Sequence, residues 1–421
     1  MRISLAATSL NLLRRLLAPT SLVVLLAANG CSDAAAPDPI RAAPGAPPVM
    51  SAAPATSAAA APTGTQAAEG IASAAAAPEG AAGLGKFSEL VATLSEPSGE
   101  FFSDNLISNE TSYLQVAGEL AARPAGGVYL GVGPEQNFTY IALARPSAAF
   151  ILDIRRDNLI QQLHYKALFV EARSRSHFLA LLLGRPWDAE GDPGPGADIE
   201  AVIAHAEKNP ADEATLAATL TRVRRRIEEE WGVALNANDR KSLDLVAKRF
   251  HERQLDIRFE LHEKSGRRYP KLRELFTQGD PKGAQRGFLA SEEGFRFVQR
   301  MQKEHRVIPL VGDFGGDRAM PSLAALLREK GLAVSAFYVS NVEQYLLEPK
   351  VWEKWRRNVA ALPAREDALF IRAYLDQGRR HPKQMEGHRT ATVLSRFADF
   401  TARQEKKPYR SFWDVSTDAT L

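Results

Sequence analysis

The segment 126–156 constrains the fold of this chain more than any other part, because it has the pattern of a strand, a glycine turn, a helix and a second strand. An apolar run at 128–130 ends in a Gly-Val-Gly turn, and Pro134 follows where a helix would begin. A second apolar run at 148–152 ends at an aspartate. The pattern predicts a βαβ unit, which places its two strands side by side in a parallel sheet.

Two glycines and one acid in this unit are typical of a ligand site. Gly131 and Gly133 form the predicted turn, and Asp153 follows Gly133 by 20 residues (153 − 133) at the end of the second strand. In nucleoside-binding βαβ folds, a carboxylate at about this separation binds the ribose hydroxyls. The alternative is a structural turn in which Asp153 caps a loop.

Glu135 restricts the chemistry of the ligand that such a turn would bind. Placed in the first turn of the helix, its charge satisfies the helix dipole and repels a second anion such as a pyrophosphate. The site therefore favours a neutral, cationic or zwitterionic ligand that carries a ribose, rather than NAD or FAD. S-adenosylmethionine fits that description.

The N-terminal part predicts export and lipid attachment. In residues 1–30, arginines precede an apolar run at 16–28 that is shorter than the roughly 20 residues needed to span a bilayer. Cys31 follows directly and is the only cysteine, so no internal disulfide can form and lipid attachment is its expected role. The alternative is an ordinary signal peptide with a chance cysteine. We expect a cell-envelope location, anchored to the membrane and facing the periplasm or the exterior.

Composition separates the remaining chain into a tether and one domain. Residues 31–85 are mainly Ala, Pro, Gly, Ser and Thr, with too few large apolar side chains to form a core. Residues 86–421 are enough for one α/β domain. The net charge of +3 is spread without clusters of aromatic and basic residues, so nucleic acid is not a predicted partner. The predicted partners are the membrane, through the lipid anchor, and a small-molecule ligand.

The domain alternates strands and helices, with one interruption. Between 187 and 286 the pattern changes to charged helices without a strand signal, which predicts a helical insertion. Beyond it, apolar runs at 307–311, 333–339 and 368–374 are separated by helical segments. Strands separated by helices in this way predict an α/β fold with a mostly parallel, doubly wound sheet of Rossmann type.

Local capping signals accompany these elements. Asn109 would cap a helix before the βαβ unit, and Asp157 would cap the helix after it. Ser340 and Glu343 have the S-x-x-E spacing of a capping box.

Side chains at the other strand ends are the candidate catalytic groups. Asp313, Asn341 and Glu343 follow strands whose carboxyl ends would surround a ligand of an open parallel sheet. Asp313 would act as a general base or ligand anchor, or it is a turn aspartate. Arg155 would bind an anionic group of the ligand, or pair with an acid such as Glu110. The chain has no HExxH, CxxC, GxSxG or P-loop motif, and no metal is predicted.

The chain resembles class I methyltransferase-like proteins and, within them, an uncharacterised bacterial family that includes envelope lipoproteins. The similarity covers nearly all of the chain after Lys86. It rests on the segments DNLISNETSY (104–113), YLGVGPEQNFTYI (129–141), AFILDIRR (149–156), HYKALF (164–169), FLASEEGF (288–295), VIPLVGDFGG (307–316) and FYVSNVEQYL (337–346).

This resemblance implies S-adenosylmethionine as the cofactor and methyl transfer as the reaction. Gly131 and Gly133 would face its methionine part, and Asp153 would bind its ribose. The glycine-rich loop is interrupted by Glu135 and Gln136, and the usual Asp/Asn-Pro-Pro-aromatic motif is absent from the later strand ends. The alternative hypothesis is a non-catalytic binding or scaffold lipoprotein that retains the fold.

Overall fold

The computed structural model describes residues 83–262, 267–376, 378–406, 408–418 and 420–421. These residues belong to one compact unit, Ala77–Leu421. The predicted signal peptide, Cys31 and the predicted tether up to residue 82 lie outside the described ranges.

Six strands form a single sheet in the order β3-β2-β1-β4-β5-β6. The first five are parallel, and β6 runs antiparallel to β5. This is the order of the doubly wound dinucleotide-binding fold, with its last strand reversed. The predicted α/β fold with a mostly parallel sheet is confirmed, and the strand order is compatible with a Rossmann-like fold, whereas the reversed edge strand was not predicted. The strands are β1 (Val128–Gly131), β2 (Ala148–Asp153), β3 (Val307–Val311), β4 (Val334–Ser340), β5 (Ala364–Leu375) and β6 (Thr390–Arg396).

The strands are continuous apolar runs because helices cover both faces of the sheet. Every residue of β1, β2 and β3 is buried, which explains why these strands lack the alternation of a half-exposed sheet. The helices are α1 (Phe87–Leu94), α2 (Ala117–Ala121), α3 (Gln136–Ala144), α4 (Arg156–Glu171), α5 (Arg175–Leu183), α6 (Ile199–Ala206), α7 (Glu213–Arg225), α8 (Ala237–Arg253), α9 (Leu272–Thr277), α10 (Glu292–Lys303), α11 (Ala319–Glu329), α12 (Pro349–Ala361), α13 (Phe397–Lys406) and α14 (Phe412–Thr417).

Within the described residues, 187–286 contribute helices and isolated bridges but no strand. An apolar stripe on α7 is buried at Leu216 and Val223, and it continues through Ile227 and Trp231. A π-helical turn at Arg226–Glu230 keeps this stripe facing the domain. None of the helices in the described part of the chain is long and apolar enough to span a membrane.

Two capping predictions are wrong. Asn109 does not begin a helix, since a 3-10 turn starts only at Tyr113 and its N-cap residue makes no side-chain cap. Helix α4 begins one residue before Asp157, which therefore lies in the first turn and not at the cap. Around Asn109, contacts of the neighbouring Ser108 and Glu110 with residues distant in the chain override the local signal.

Lys166 on α4 is a buried basic residue that lies close to Phe87, the first residue of α1. Its side chain is 1% exposed, and its ammonium lies 4.6 Å from the ring centroid of Phe87 and 5.6 Å from that of Trp231. It donates a hydrogen bond of 2.6 Å to the carbonyl of Gln302. Burial without an acidic partner lowers the pKa of Lys166 to about 7.

The Lys166→Met variant should show how much stability is lost when the ammonium of Lys166 is buried. Because the pKa of Lys166 falls from 10.5 to about 7 on folding, the native state holds fewer protons than the unfolded chain between these values. The wild type should therefore lose roughly 1 kcal/mol of unfolding free energy per pH unit as the pH falls from 10 to 7. The variant should lack this loss, as measured by urea unfolding at pH 7 and 9.

Lys248→Met is the matched control, because Lys248 lies exposed on α8 and pairs only with Glu252. Its pH dependence should follow that of the wild type. Parallel curves for the wild type and Lys166→Met would contradict the assignment.

Candidate functional site

The order of the strands reverses between β1 and β4, and this position is the topological switch point of the sheet. In open α/β sheets, ligands bind outside the carboxyl ends of the strands at such a point. Here β1 ends at Gly131 and β4 ends at Ser340. The predicted site residues at the ends of β1 and β2 lie at this edge, so the structure brings Gly131, Gly133, Glu135, Asp153 and Arg155 to one side of the sheet.

The glycine turn is held by side chains of the domain itself. A Cβ at Gly131 would lie 1.9 Å from the Oδ1 of Asn137, and Gly133 has a positive φ of 78°. The Nδ2 of Asn137 donates to the carbonyl oxygens of Val132 and Pro134 at 2.9 and 2.8 Å. Both glycines are therefore required by the packing of the turn, whether or not a ligand binds.

Asp153 and Arg155 form a buried pair at the end of β2. The carboxylate accepts the backbone N–H of Arg155 at 2.9 Å and its guanidinium at 3.1 and 3.0 Å. The guanidinium also donates to the carbonyl oxygens of Ser103 and Asp104. The carboxylate predicted to bind a ribose is thus occupied by Arg155, and the expected pairing of Arg155 with Glu110 does not occur.

An irregular segment, residues 95–112, runs along the carboxyl edge of the sheet, and we call it the strap. It contacts the ends of the strands in their spatial order. Its backbone N–H groups bond to Ile154 after β2 and to the carboxylate of Glu135 after β1. The successive contacts are Glu96 with Val311, Gly99 with Ile154, Ser108 with Glu135, Glu110 with Ser340, and Ser112 with Thr390. The strap therefore covers the position at which a ligand of this fold would lie.

Glu110 carries the strap's carboxylate into the switch point. It is 1% exposed, and its Oε1 accepts the hydroxyls of Tyr338, at 2.7 Å, and Ser340. Its Oε2 accepts the amide of Gln136 at 2.8 Å. Burial raises the pKa of Glu110 above its ordinary value, although these three donors oppose the shift.

Glu135 is the N-cap residue of α3, one position before the predicted first turn, and its side chain does not cap the helix. Instead its carboxylate accepts the N–H of Ser108 at 3.1 Å, while its Oε2 has no hydrogen-bond partner. Burial, and to a lesser extent the charge of Glu110, raises the pKa of Glu135 to about 7, although hydrogen bonds from backbone N–H groups oppose the shift. Within the described residues neither carboxylate forms an ion pair, so two buried acids face the switch point without a cation.

The space beside these acids is small. A cavity of about 10 Å³ lies between the strap and α3, which is about the volume that one water needs. A nucleoside could enter here only if the strap moved away. The cavity is lined by Ser108, Tyr113, Glu135, Gln136, Thr139, Leu275, Phe276 and Phe288.

The three predicted catalytic residues are not brought together. Asp313 follows the edge strand β3, three strand spacings or about 14 Å from β4, and its Oδ1 accepts the N–H of Gly315 at 2.8 Å. Burial raises the pKa of Asp313. Asn341 is partly exposed beside Ser340 and is the one candidate that stays at the switch point.

Glu343 points away from the edge. It is fully buried, accepts the guanidinium of Arg372 at 3.0 Å and the indole N–H of Trp355 at 3.1 Å, and so forms an internal ion pair. The predicted capping box with Ser340 is wrong, because the hydroxyl of Ser340 bonds to Glu110 instead. Glu343 thus has a structural environment that sequence spacing alone could not indicate.

Sequence reasoning missed the residues that fill the site. Glu110, Gln136 and Tyr338 belong to segments that were already singled out, but their contacts join parts of the chain 26 to 228 residues apart. The sequence signal for this site is the pair of polar residues, Gln136 and Asn137, at the start of a mostly apolar helix. In the part of the chain that the structure describes, no three acidic, histidine or cysteine side chains are arranged to hold a metal.

Comparison with protein families gives one match. The model of the domain of unknown function DUF7790 matches residues 106–279 and 232–420, which together span most of the chain. The chain therefore belongs to the DUF7790 family. No curated protein matches it.

The Glu135→Gln variant should be more stable than the wild type above neutral pH. Because the pKa of Glu135 rises from 4.5 to about 7 on folding, the native state binds more protons between these values, and stability is lost as the pH rises through 7. At pH 8 the variant should gain roughly 1 to 3 kcal/mol of unfolding free energy relative to the wild type, and at pH 4.5 little. Urea unfolding at both pH values measures this difference.

Glu119→Gln, on the exposed surface of α2, provides the control and should leave the pH dependence unchanged. If Glu135→Gln and the wild type have the same pH profile, Glu135 does not carry the buried charge.

Proposed function

We propose that this chain, as a member of the DUF7790 family, is a lipid-anchored protein of the cell envelope whose Rossmann-like domain binds a small cation-bearing ligand of nucleoside type. The ligand class that fits is an adenosyl sulfonium such as S-adenosylmethionine. Its bound form would supply an electrophilic methyl group for transfer to an acceptor.

The observation that carries this proposal is the uncompensated charge at the switch point. Glu110 and Glu135 are both buried with raised pKa values, and within the described residues neither forms an ion pair with a basic group. A buried carboxylate without a cation is costly, and strongly shifted acids in such a position are typical of functional sites. A ligand cation at this point would remove that cost.

The other residues at this edge could contact a nucleoside once the strap had moved away from the strand ends. Asp153, at the end of β2, has the position of a ribose-binding acid. Arg155 holds both Asp153 and the strap. Release of the strap would free the guanidinium of Arg155 from Ser103 and Asp104, so that it could turn away and leave the carboxylate of Asp153 to a ligand.

A second candidate function is favoured by the closed edge itself. Both carboxylate oxygens of Asp153 are occupied by Arg155, and the strap fills the switch point. These contacts support a non-catalytic binding or scaffold protein in which internal side chains have replaced the ligand. The two candidates differ in what Asp153→Ala should change: ligand affinity and cellular role in the first, and neither in the second.

Binding of an adenosyl cation should become stronger with pH, because Glu135 ionises near pH 7. We expect the full-length protein in detergent to bind S-adenosylmethionine about tenfold more tightly at pH 8 than at pH 6 by calorimetry, whereas S-adenosylhomocysteine, which lacks the sulfonium charge, should change less. Glu135→Gln should abolish the pH effect, and Glu119→Gln should keep it.

If the folded protein binds neither of the two adenosyl compounds and does not bind NAD, the ligand hypothesis is refuted and the scaffold hypothesis remains.

The location can be tested separately at Cys31. Cys31→Ser should abolish incorporation of labelled palmitate and release the protein from the membrane fraction, because a lone thiol after the apolar run is the only acylation site that the sequence offers. A reporter fused to the C-terminus should be active only outside the cytosol. Cytosolic activity, or labelling of the Cys31→Ser variant, would contradict the lipoprotein assignment.

A further inference from the structure

Ser340 has an unusual backbone for the last residue of a central strand. Its φ is 52°, a left-handed value that L-residues other than glycine rarely adopt. The register of β4 against β5 shifts between Tyr338 and Ser340, so a bulge ends the strand. Bulges next to functional sites re-aim a side chain. Here the bulge turns the Ser340 side chain toward the strap.

The hydroxyl of Ser340 donates to the buried carboxylate of Glu110, 230 residues away in the sequence. Helix capping does not explain it, because the 3-10 turn at Val342–Tyr345 has Asn341 at its N-cap position, without a side-chain cap. The only other acceptor near the hydroxyl among the described hydrogen bonds is the Oδ1 of Asn341, at 3.3 Å. A hydroxyl in contact with a carboxylate is the arrangement of a nucleophile and its base. Glycine would relieve the backbone strain at this position but would remove the hydroxyl.

Ser340 is also accessible from an apolar surface. Its side chain is partly exposed, and the 3-10 turn that follows it ends at Tyr345. Tyr345 packs against Phe101 and Phe102 of the strap, with ring centroids 5.6 and 5.9 Å apart. All three rings are partly exposed. An apolar or aromatic acyl group could pack on these rings while its carbonyl carbon meets Ser340.

We propose that Ser340 is a nucleophile, with Glu110 as its base, that accepts the acyl group of a carboxylic ester. The Oγ of Ser340 bonds to the carbonyl carbon while its proton passes to Glu110. The bond from that carbon to the alcohol oxygen then breaks, and the alcohol leaves with the proton. Water attacks the seryl ester, gives a proton to Glu110 and releases the carboxylic acid, and Ser340 recovers its hydrogen.

The surroundings of Glu110 suit this role. Burial raises its pKa above the ordinary 4.5, which makes the carboxylate a stronger base than an exposed one. The titratable groups that face it are Glu135, Tyr129, Tyr140 and Tyr338, and burial raises the pKa of each of them. The tyrosines stay neutral at the pH values of the test.

The test uses the full-length protein in detergent with a fluorophosphonate, which reacts with activated serines, and with p-nitrophenyl butyrate as an ester. We expect one phosphonate adduct on the peptide that contains Ser340, and ester hydrolysis that the probe blocks. Ser340→Ala and Ser340→Gly should lose both, and Ser340→Gly should melt at a higher temperature than Ser340→Ala, because both lack the hydroxyl but only glycine relieves the strained backbone. Ser335→Ala, at the opposite end of β4, should react like the wild type.

Glu110→Gln should slow labelling at least 100-fold while Ser340 keeps its position. If Glu110→Gln does not fold, the pH dependence of labelling in the wild type decides. The labelling rate should rise with pH through a single ionisation above pH 4.5, as Glu110 loses its proton. Folded wild type without an adduct at Ser340 would overturn the proposal, as would Glu110→Gln labelled at the wild-type rate or a flat wild-type pH profile. Binding of adenosyl compounds has no bearing on these outcomes.

Discussion

The carboxylate of Glu110 is the contact on which the carboxyl edge of this domain depends. It lies on the strap but accepts hydrogen bonds from β4 and α3, through Tyr338, Ser340 and Gln136. Each donor is itself part of the regular fold, so the strap is attached at the switch point by groups that the sheet holds in place. A buried carboxylate that lost these donors would pay its full desolvation cost, and the strap therefore has one strongly preferred position.

Arg155 binds the strap at a second point and thereby links the strap to Asp153. The guanidinium bonds to Asp153 on the sheet and to the carbonyl oxygens of Ser103 and Asp104 on the strap. Opening the edge would thus break the hydrogen bonds of Arg155 to the strap together with those that Glu110 accepts from β4 and α3. A ligand must compensate for the loss of both sets of hydrogen bonds. This favours a ligand that offers a cation near Glu135 and hydroxyls near Asp153.

The sheet could be predicted from the sequence because its strands are buried on both faces. Each one is a short apolar run that ends in a glycine or a polar residue, and these runs coincide with β1, β2 and β3 to within a residue. The strap could not be predicted, because it has no periodicity and its partners are distant in the chain. Glu343 illustrates the limit, since only the fold brings Arg372, 29 residues later, beside it.

The glycine turn shows why a short motif does not decide between a ligand site and a packed turn. Gly131 has no space for a side chain because Asn137 lies against it, and Asn137 in turn satisfies the carbonyl oxygens of the loop. Glycine would be required there in either case. The acids discriminate better, because a neutral residue in place of Glu135 would stabilise the domain above neutral pH, and a domain without a ligand would have no use for the acid. The unpartnered Oε2 of Glu135 favours a group from outside the chain.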